Sequence, residues 1–186
     1  SSGVLGSAIG MDKIAMKQIL RGAGFPVLDL VWFTREQLKN DRKAVIERVE
    51  KEIKYPAFIK PAALGSSIGV SRAKNREELE RALDVAASYD RRILVEVGVV
   101  HPVEINCAAL GYGEDVRASV CEMPVPSSND TFLDFWQKYL RNASTKGEDS
   151  RGMKSLSRVV PAPIGEELTK RIQTMTCDIF KLLDCR

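Results

Sequence analysis

Apolar residues recur at helical spacing in several parts of the chain and form short continuous or alternating runs between them. Spacings of three and four residues place apolar side chains on one helix face, whereas the short runs are typical of strands. The pattern predicts helices over residues 10–23, 76–88 and 165–183, and one helix or a pair of helices over about 35–54. It predicts strands over 27–33, 57–59, 68–70, 93–96, 103–110 and 116–123. Since hairpins occur beside helices, we expect an α+β fold in which helices cover a small sheet.

Polar residues at the ends of these segments support the predicted helices. Thr34 precedes Gln37, and Asn75 precedes Glu78, at the three-residue spacing of a helix N-terminal capping box. Gly24 follows the first apolar helix and is a typical end signal. These local signals predict two helix starts and one helix end.

One lysine has an unusual position in the predicted hairpin of residues 56–73. Lys60 ends an apolar strand directly before Pro61, so we expect its ammonium group to be half buried. Such burial is unfavourable unless an anion contacts the ammonium group. The small-residue loop that follows contains Ser66 and Ser67, and backbone N–H groups of such a loop can point into a concavity. This combination predicts contact with phosphate oxygens.

An ordinary hairpin is the alternative. Gly-Ser-Ser is a common turn, and a strand-end lysine usually extends along its methylene groups into water. The loop matches neither GxxxxGK[ST] nor GxGxxG, so the folds with those phosphate-binding motifs are not supported. The hairpin residues by themselves leave both interpretations open.

Composition narrows the class of protein. The chain has 186 residues, of which 44% are hydrophobic, enough for one domain or two small lobes with a core. Its 28 basic and 25 acidic residues are interspersed, which argues against nucleic-acid binding. No apolar run approaches the roughly 20 residues that span a bilayer.

The cysteines predict a cytoplasmic protein with reduced thiols. The sequence has four cysteines, none in a CxxC pair, and a single histidine, His101, which argues against a zinc site. We interpret the cysteines as reduced core residues.

Several short sequence motifs occur in a specific order over nearly the whole chain. They lie at residues 3–8, 11–13, 58–61, 65–70, 89–90, 93–96, 104–111, 138–140 and 161–162. In these motifs the chain resembles the ATP-grasp superfamily, most closely the D-alanine:D-alanine ligases. The resemblance implies an ATP-grasp fold of two small lobes, each an antiparallel or mixed sheet packed with helices, with domains at residues 1–98 and 99–186.

The resemblance also implies roles around the ATP phosphates and the substrate. Lys13 and Lys60 would contact phosphate, and the loop of residues 65–69, with Ser67, would close over it. Ser66 would orient the substrate amino acid together with a tyrosine that corresponds to Tyr139. Lys138 would reach the γ-phosphate or the developing acyl-phosphate.

Nucleotide recognition is implied at the predicted junction of the lobes. Glu96, Val97 and Val99 would meet adenine, and Glu104 would accept hydrogen bonds from the ribose. The alternative is that both carboxylates are simply solvated at strand ends. For the Lys-Tyr pair at 138–139, the alternative is a turn of a surface helix.

The implied reaction is ATP-dependent joining of two D-amino acids through an acyl-phosphate, in peptidoglycan precursor synthesis. The family uses magnesium, whose ligands we expect beyond Arg186, so we expect little ligase activity from the 186 residues alone. A nucleotide-binding module without turnover and an ATP-grasp ligase for another amino-acid or hydroxy-acid pair are the alternatives. The sequence leaves open whether the second substrate is D-alanine, D-serine or D-lactate, the oligomeric state, and the order of the loop at 127–157.

Overall fold

The structure, a computed structural model, describes residues 2–125 and 158–186. Its helices are α1 (Val4–Met11), α2 (Lys13–Gly22), α3 (Arg35–Asn40), α4 (Arg42–Glu52), α5 (Arg76–Tyr89) and α6 (Glu166–Leu182). Its strands are β1 (Leu30–Thr34), β2 (Ala57–Pro61), β3 (Ser71–Ala73), β4 (Arg92–Val97), β5 (Ala109–Tyr112), β6 (Asp115–Ala118), β7 (Met123–Pro124) and β8 (Arg158–Val159). The predicted α+β class is confirmed, and every pairing among these strands is antiparallel.

The described residues form two compact units. One comprises Ile9–Val100 and contains a four-stranded sheet in the order β1-β4-β2-β3. The other comprises Ser1–Ala8 and His101–Arg186, and its described part contains the two-stranded sheets β5-β6 and β7-β8. The domain division predicted after residue 98 stays a prediction.

The four-stranded sheet has a different helix layer on each face. Alternation along the central strand β4 sends Ile93 and Val95 into a core shared with α4 and α5. Leu94 points to the opposite face and packs with Ile14 of α2. Because Lys60 is paired in register with Leu94, it shares the α2 face. This register places a charged strand residue beneath the first turns of α2.

Side-chain caps fix where the helices of this unit begin. The Thr34 hydroxyl accepts from the N–H of Gln37, whose side chain accepts from the N–H of Thr34, so the predicted capping box is confirmed. Asn75 caps α5 through the N–H of Glu78, as predicted. These caps satisfy N–H groups that have no partner within the helix.

Two predicted elements of this unit are wrong in their bounds. The single helix predicted over 10–23 is two helices, because Asp12 has extended backbone and caps α2 through the N–H groups of Ile14 and Ala15. The second hairpin strand predicted over 68–70 lies at β3. Residues 66–69 form turns instead, and Gly69, in the middle of the predicted strand, has a left-handed φ of 69°.

The second unit departs more from the predicted strands. The strand predicted over 103–110 is an isolated bridge between Asn106 and Glu122, followed by β5. The strand predicted over 116–123 is divided between β6 and β7. The last predicted helix is confirmed as α6, which packs on β6. Within residues 2–125 and 158–186, no helix has the length and apolar character needed to cross a membrane.

Candidate phosphate-binding site

A buried carboxylate binds two lysines on the α2 face of the sheet. Glu96 ends the buried part of β4 and is 4% exposed. Its Oε1 accepts a hydrogen bond from Lys60 of β2, and its Oε2 lies 2.8 Å from Lys17 Nζ of α2. Oε2 has no directed hydrogen bond within the described residues, so its contact with Lys17 is an ion pair. The half-buried Lys60 therefore has an anionic partner within its own unit.

The charge balance keeps Glu96 ionised. Burial alone would raise the pKa of this carboxyl. The charges of Lys60 and Lys17 oppose burial, and the pKa of Glu96 lies below its ordinary value. Lys60 Nζ also lies 5.5 Å from the ring centroid of Phe58, a cation–π distance. The carboxylate therefore holds a preformed pair of ammonium groups.

Lys13, the first residue of α2, anchors the helix to the end of β2. Its N–H donates to the Ala62 carbonyl at 3.0 Å. Its Nζ donates to the carbonyl oxygens of Pro61 and Ala62, both at 3.3 Å, and to that of Leu64. Burial and then repulsion from Lys60 lower the pKa of Lys13. An added anion near these two ammonium groups would relieve this repulsion.

Asp90 holds the chain where the loop leaves β2. Its carboxylate accepts from the N–H of Ala63 at 2.7 Å and from the N–H of Arg92 at 3.1 Å. Burial opposes ionisation of Asp90, but these backbone hydrogen bonds outweigh it and its pKa lies below the ordinary value. The loop therefore starts from a fixed point beside Lys13.

The loop between β2 and β3 is a succession of turns. Ile68 N–H donates to the Gly65 carbonyl at 3.0 Å, and Val70 N–H donates to the Ser67 carbonyl at 3.2 Å. Gly69 has φ 69°, and a Cβ there would lie 2.7 Å from Pro61 Cγ, so only glycine fits. Since Lys13 Nζ contacts the Leu64 carbonyl, the loop starts beside the lysine cluster, which comprises Lys13, Lys17 and Lys60.

This donor set fits the phosphates of a nucleotide. Lys13 and Lys60 supply two ammonium groups that repel each other, and ammonium groups and loop N–H groups are typical phosphate ligands. In contrast, the described residues contain no group of three or more His, Cys, Asp or Glu side chains able to hold a metal ion.

Three predicted site residues, Val97, Val99 and Glu104, take no part in the contacts described above. Val97 lies on β4, and its N–H donates to the Asp29 carbonyl at 3.1 Å. Val99 is 51% exposed, and Glu104 is exposed and belongs to the other unit. Residues 138 and 139, the predicted Lys-Tyr pair, lie outside the described residues.

Sequence reasoning missed Lys17 and the partner of Lys60. The spacing from Lys13 to Lys17 is four residues, which places both on one helix face and was a usable signal. Glu96 was assigned to adenine, whereas its carboxylate contacts Lys60 and Lys17 here. Its adenine role stays a prediction.

Solved structures of two ligases share this fold. The D-alanine-D-alanine ligase from Coxiella burnetii matches with TM-score 0.73 and 25% identity, over 98% of this chain and 42% of that one. The VanG D-Ala:D-Ser ligase from Enterococcus faecalis matches with TM-score 0.76 and 29% identity, over 99% of this chain and 48% of that one. The fold is therefore of the α+β ATP-grasp class.

The sequence comparisons specify the family. The family described as "D-ala D-ala ligase C-terminus" matches residues 19–186, and the chain belongs to this family. D-alanine–D-alanine ligases from Acetivibrio thermocellus and Natranaerobius thermophilus are 38% and 39% identical over 98% and 99% of the chain. The chain spans only 44% and 46% of their lengths. Lys60 and Glu96 lie within the family match, while Lys13 and Lys17 precede it.

Proposed function

We propose that the chain is the ATP-binding region of an ATP-dependent ligase that joins two D-amino acids, most simply two D-alanines, for peptidoglycan precursors. The observation that carries this proposal is the group of Lys13, Lys17, Lys60 and Glu96 on one sheet face beside a glycine–serine loop. The names of the similar proteins support the substrate class.

Lys60 binds phosphate by changing partners. In the structure its ammonium group is neutralised by Glu96, which also has Lys17 2.8 Å away. When a polyphosphate binds, Lys60 turns toward the phosphate oxygens, and Lys17 remains as the counter-ion of the buried carboxylate. Glu96 is thus never left as an uncompensated buried charge, which would cost several kcal/mol.

Lys13 and the loop bind the same polyphosphate. Lys13 replaces carbonyl contacts with contacts to anionic oxygens, whose negative charge raises its pKa again. Ser67 and the N–H groups of the loop cover the phosphates and exclude water. When bound, ATP supplies the phosphoryl group that activates the substrate carboxylate.

The remaining assignments concern adenine and the substrate. Main-chain groups at Val97 and Val99 bind adenine beside Glu96, and Glu104 binds the ribose. Ser66 orients the amino acid in concert with Tyr139, and Lys138 stabilises the transferred phosphoryl group. Magnesium accompanies the nucleotide, with ligands other than the described residues.

D-Serine is the second candidate substrate, because one similar structure is a D-Ala:D-Ser ligase. D-Alanine remains the primary proposal because both similar curated proteins are D-alanine–D-alanine ligases.

The test is ADP formation by the natural protein that contains this chain, with ATP, magnesium and one amino acid. We expect D-alanine to stimulate ADP formation and L-alanine to leave the basal rate unchanged. Lys60→Ala should abolish the stimulation, while Lys51→Ala, at an exposed lysine of α4, should retain it. Equal ADP formation with and without D-amino acids would contradict the proposed ligase.

A further inference from the structure

Two cysteines that are distant in sequence lie opposite each other beside the β5-β6 hairpin. Asn106 and Glu122 form an antiparallel bridge in which each N–H donates to the other's carbonyl at 2.9 Å. In an antiparallel ladder, a pair that exchanges both hydrogen bonds is followed by a pair that exchanges none, with Cα atoms about 4.5 Å apart. Cys107 and Cys121 occupy that following position.

The two thiols share one face of this ladder. Directly opposed residues project their side chains to the same side. Burial, and then the neighbouring Cys107, raise the pKa of the Cys121 thiol, which is consistent with the opposition of the two residues next to the Asn106–Glu122 bridge. Cys121 is 1% exposed, whereas Cys107 is half-buried and its Sγ lies 3.6 Å from the Ser119 carbonyl oxygen. One thiol is therefore accessible to solvent, and the second lies buried beside it.

The spacing of such a pair suits a covalent bond. Side chains of a pair without ladder hydrogen bonds have Cβ atoms about 4.5–5.5 Å apart, and a disulfide needs about 3.5–4.5 Å. The Cβ atoms of Cys107 and Cys121 therefore need to move only slightly closer together to form a disulfide. No backbone hydrogen bond joins Cys107 to Cys121, so the approach of their side chains breaks none between them.

We propose that Cys107 and Cys121 form a reversible intramolecular disulfide by exchange with a small-molecule disulfide such as oxidised glutathione. The thiolate of Cys107 attacks one sulfur of the small disulfide, forms a mixed disulfide and releases one small thiolate. The thiolate of Cys121 then attacks Cys107 Sγ, closes the protein disulfide and releases the second small thiolate. The two protein thiols are oxidised, the small disulfide is reduced, and the two thiol protons pass to the released thiolates.

Peptide mapping of the native 186-residue chain tests this proposal. The chain is incubated with oxidised glutathione, alkylated without reduction and cleaved with trypsin. Because Arg117 lies between the two cysteines, cleavage separates them onto two peptides that only a disulfide can join. We expect a joined species that contains residues 93–117 and starts its second peptide at residue 118, and that divides into its two peptides on reduction.

The matched variants sharpen the assignment. Cys177→Ser with Cys185→Ser should leave the joined species unchanged, whereas Cys107→Ser should abolish it and leave no mixed disulfide at Cys121. A mixed disulfide on Cys107 that never proceeds to the joined species would overturn the proposal, and so would joined peptides that contain Cys177 or Cys185 instead. The mapping of the unsubstituted chain decides the matter even if a variant folds poorly.

Discussion

The unit of residues 9–100 buries leucine, isoleucine and valine side chains on both faces of its sheet, whereas the described part of the other unit leaves most such side chains partly or largely exposed. Leu79, Leu83 and Ile93 are fully buried in the first. Among the described residues of the second, only Cys121, Ala162 and Leu183 are buried apolar residues. Helix α6 has a clear apolar periodicity in the sequence but no buried residue.

This difference shows that periodicity and burial are separate properties. Both α5 and α6 have an apolar face, but that of α5 is buried in a core shared with α4 and the four-stranded sheet, whereas α6 packs on the two-stranded β5-β6 sheet without a buried residue. Because the lysine cluster is built on the well-packed unit, its side chains are held by a rigid support. We therefore expect the first unit to determine both stability and the geometry of the phosphate-binding site.

The largest expected effect is the loss of a core leucine. Leu83→Ala in α5 removes a side chain that is 0% exposed, and we expect the free energy of unfolding to fall by about 2–5 kcal/mol. Leu168→Ala in α6 is the matched control, because Leu168 is a helical leucine that is 43% exposed. We expect it to cost below about 1 kcal/mol.

Urea unfolding followed by circular dichroism measures both variants. An equal loss from the two substitutions would show that α6 is packed as tightly as α5 and would remove the contrast between the units.

The buried ion pair of the first unit should also contribute more to stability than an exposed ion pair of the second unit, although the effect is smaller than that of a core leucine. Lys17→Met leaves the buried Glu96 with Lys60 alone, and we expect a loss of about 1–3 kcal/mol. The control is Lys181→Met in the other unit. Lys181 lies 2.6 Å from Glu114, but both side chains are solvated, so we expect no measurable change. A larger effect at Lys181 would mean that distance, rather than burial, determines the strength of these pairs.

The pH dependence of stability isolates Glu96. Its pKa in the folded chain is below its ordinary value because the two lysines outweigh burial. Its contribution is therefore fully present above the ordinary glutamate pKa of about 4.3 and is lost as the pH falls through the lower, folded-state pKa. We expect the stability difference between the unsubstituted chain and Glu96→Gln to be largest near neutral pH and to shrink below about pH 4.3.

Unfolding curves over a pH series measure this difference, with Glu114→Gln as the control in the other unit. The exposed Glu114 should give a small difference at every pH. A Glu96→Gln difference that stays constant down to acid pH would contradict the proposed charge balance.

Features that depend on near neighbours could be predicted from the sequence. The Thr34–Gln37 capping box and the buried face of α5 at Leu79 and Leu83 follow from spacings of three and four residues, and both are present. The buried strand before Glu96 follows from a continuous apolar run. Such signals act within one element, so tertiary packing did not need to be known.

Features that depend on register could not be predicted in the same way. The contact between Lys60 and Glu96 requires β2 and β4 to pair in one particular alignment across 36 positions. The opposition of Cys107 and Cys121 likewise depends on the bridge at Asn106. Left-handed backbone at Gly69, after two left-handed serines, keeps residues 66–69 in turns, and the second hairpin strand lies at β3 instead of 68–70.

The central claim is that Lys60 binds phosphate from a preformed charge cluster, and calorimetric titration tests it most directly. The chain is titrated with a magnesium-bound, non-hydrolysable ATP analogue, and the experiment is repeated with Lys60→Ala and with the exposed-lysine control Lys51→Ala. We predict saturable binding that Lys51→Ala retains and that Lys60→Ala weakens at least about tenfold, as expected for a lost charge-assisted hydrogen bond. Equal affinity of all three proteins for the analogue would contradict the claim.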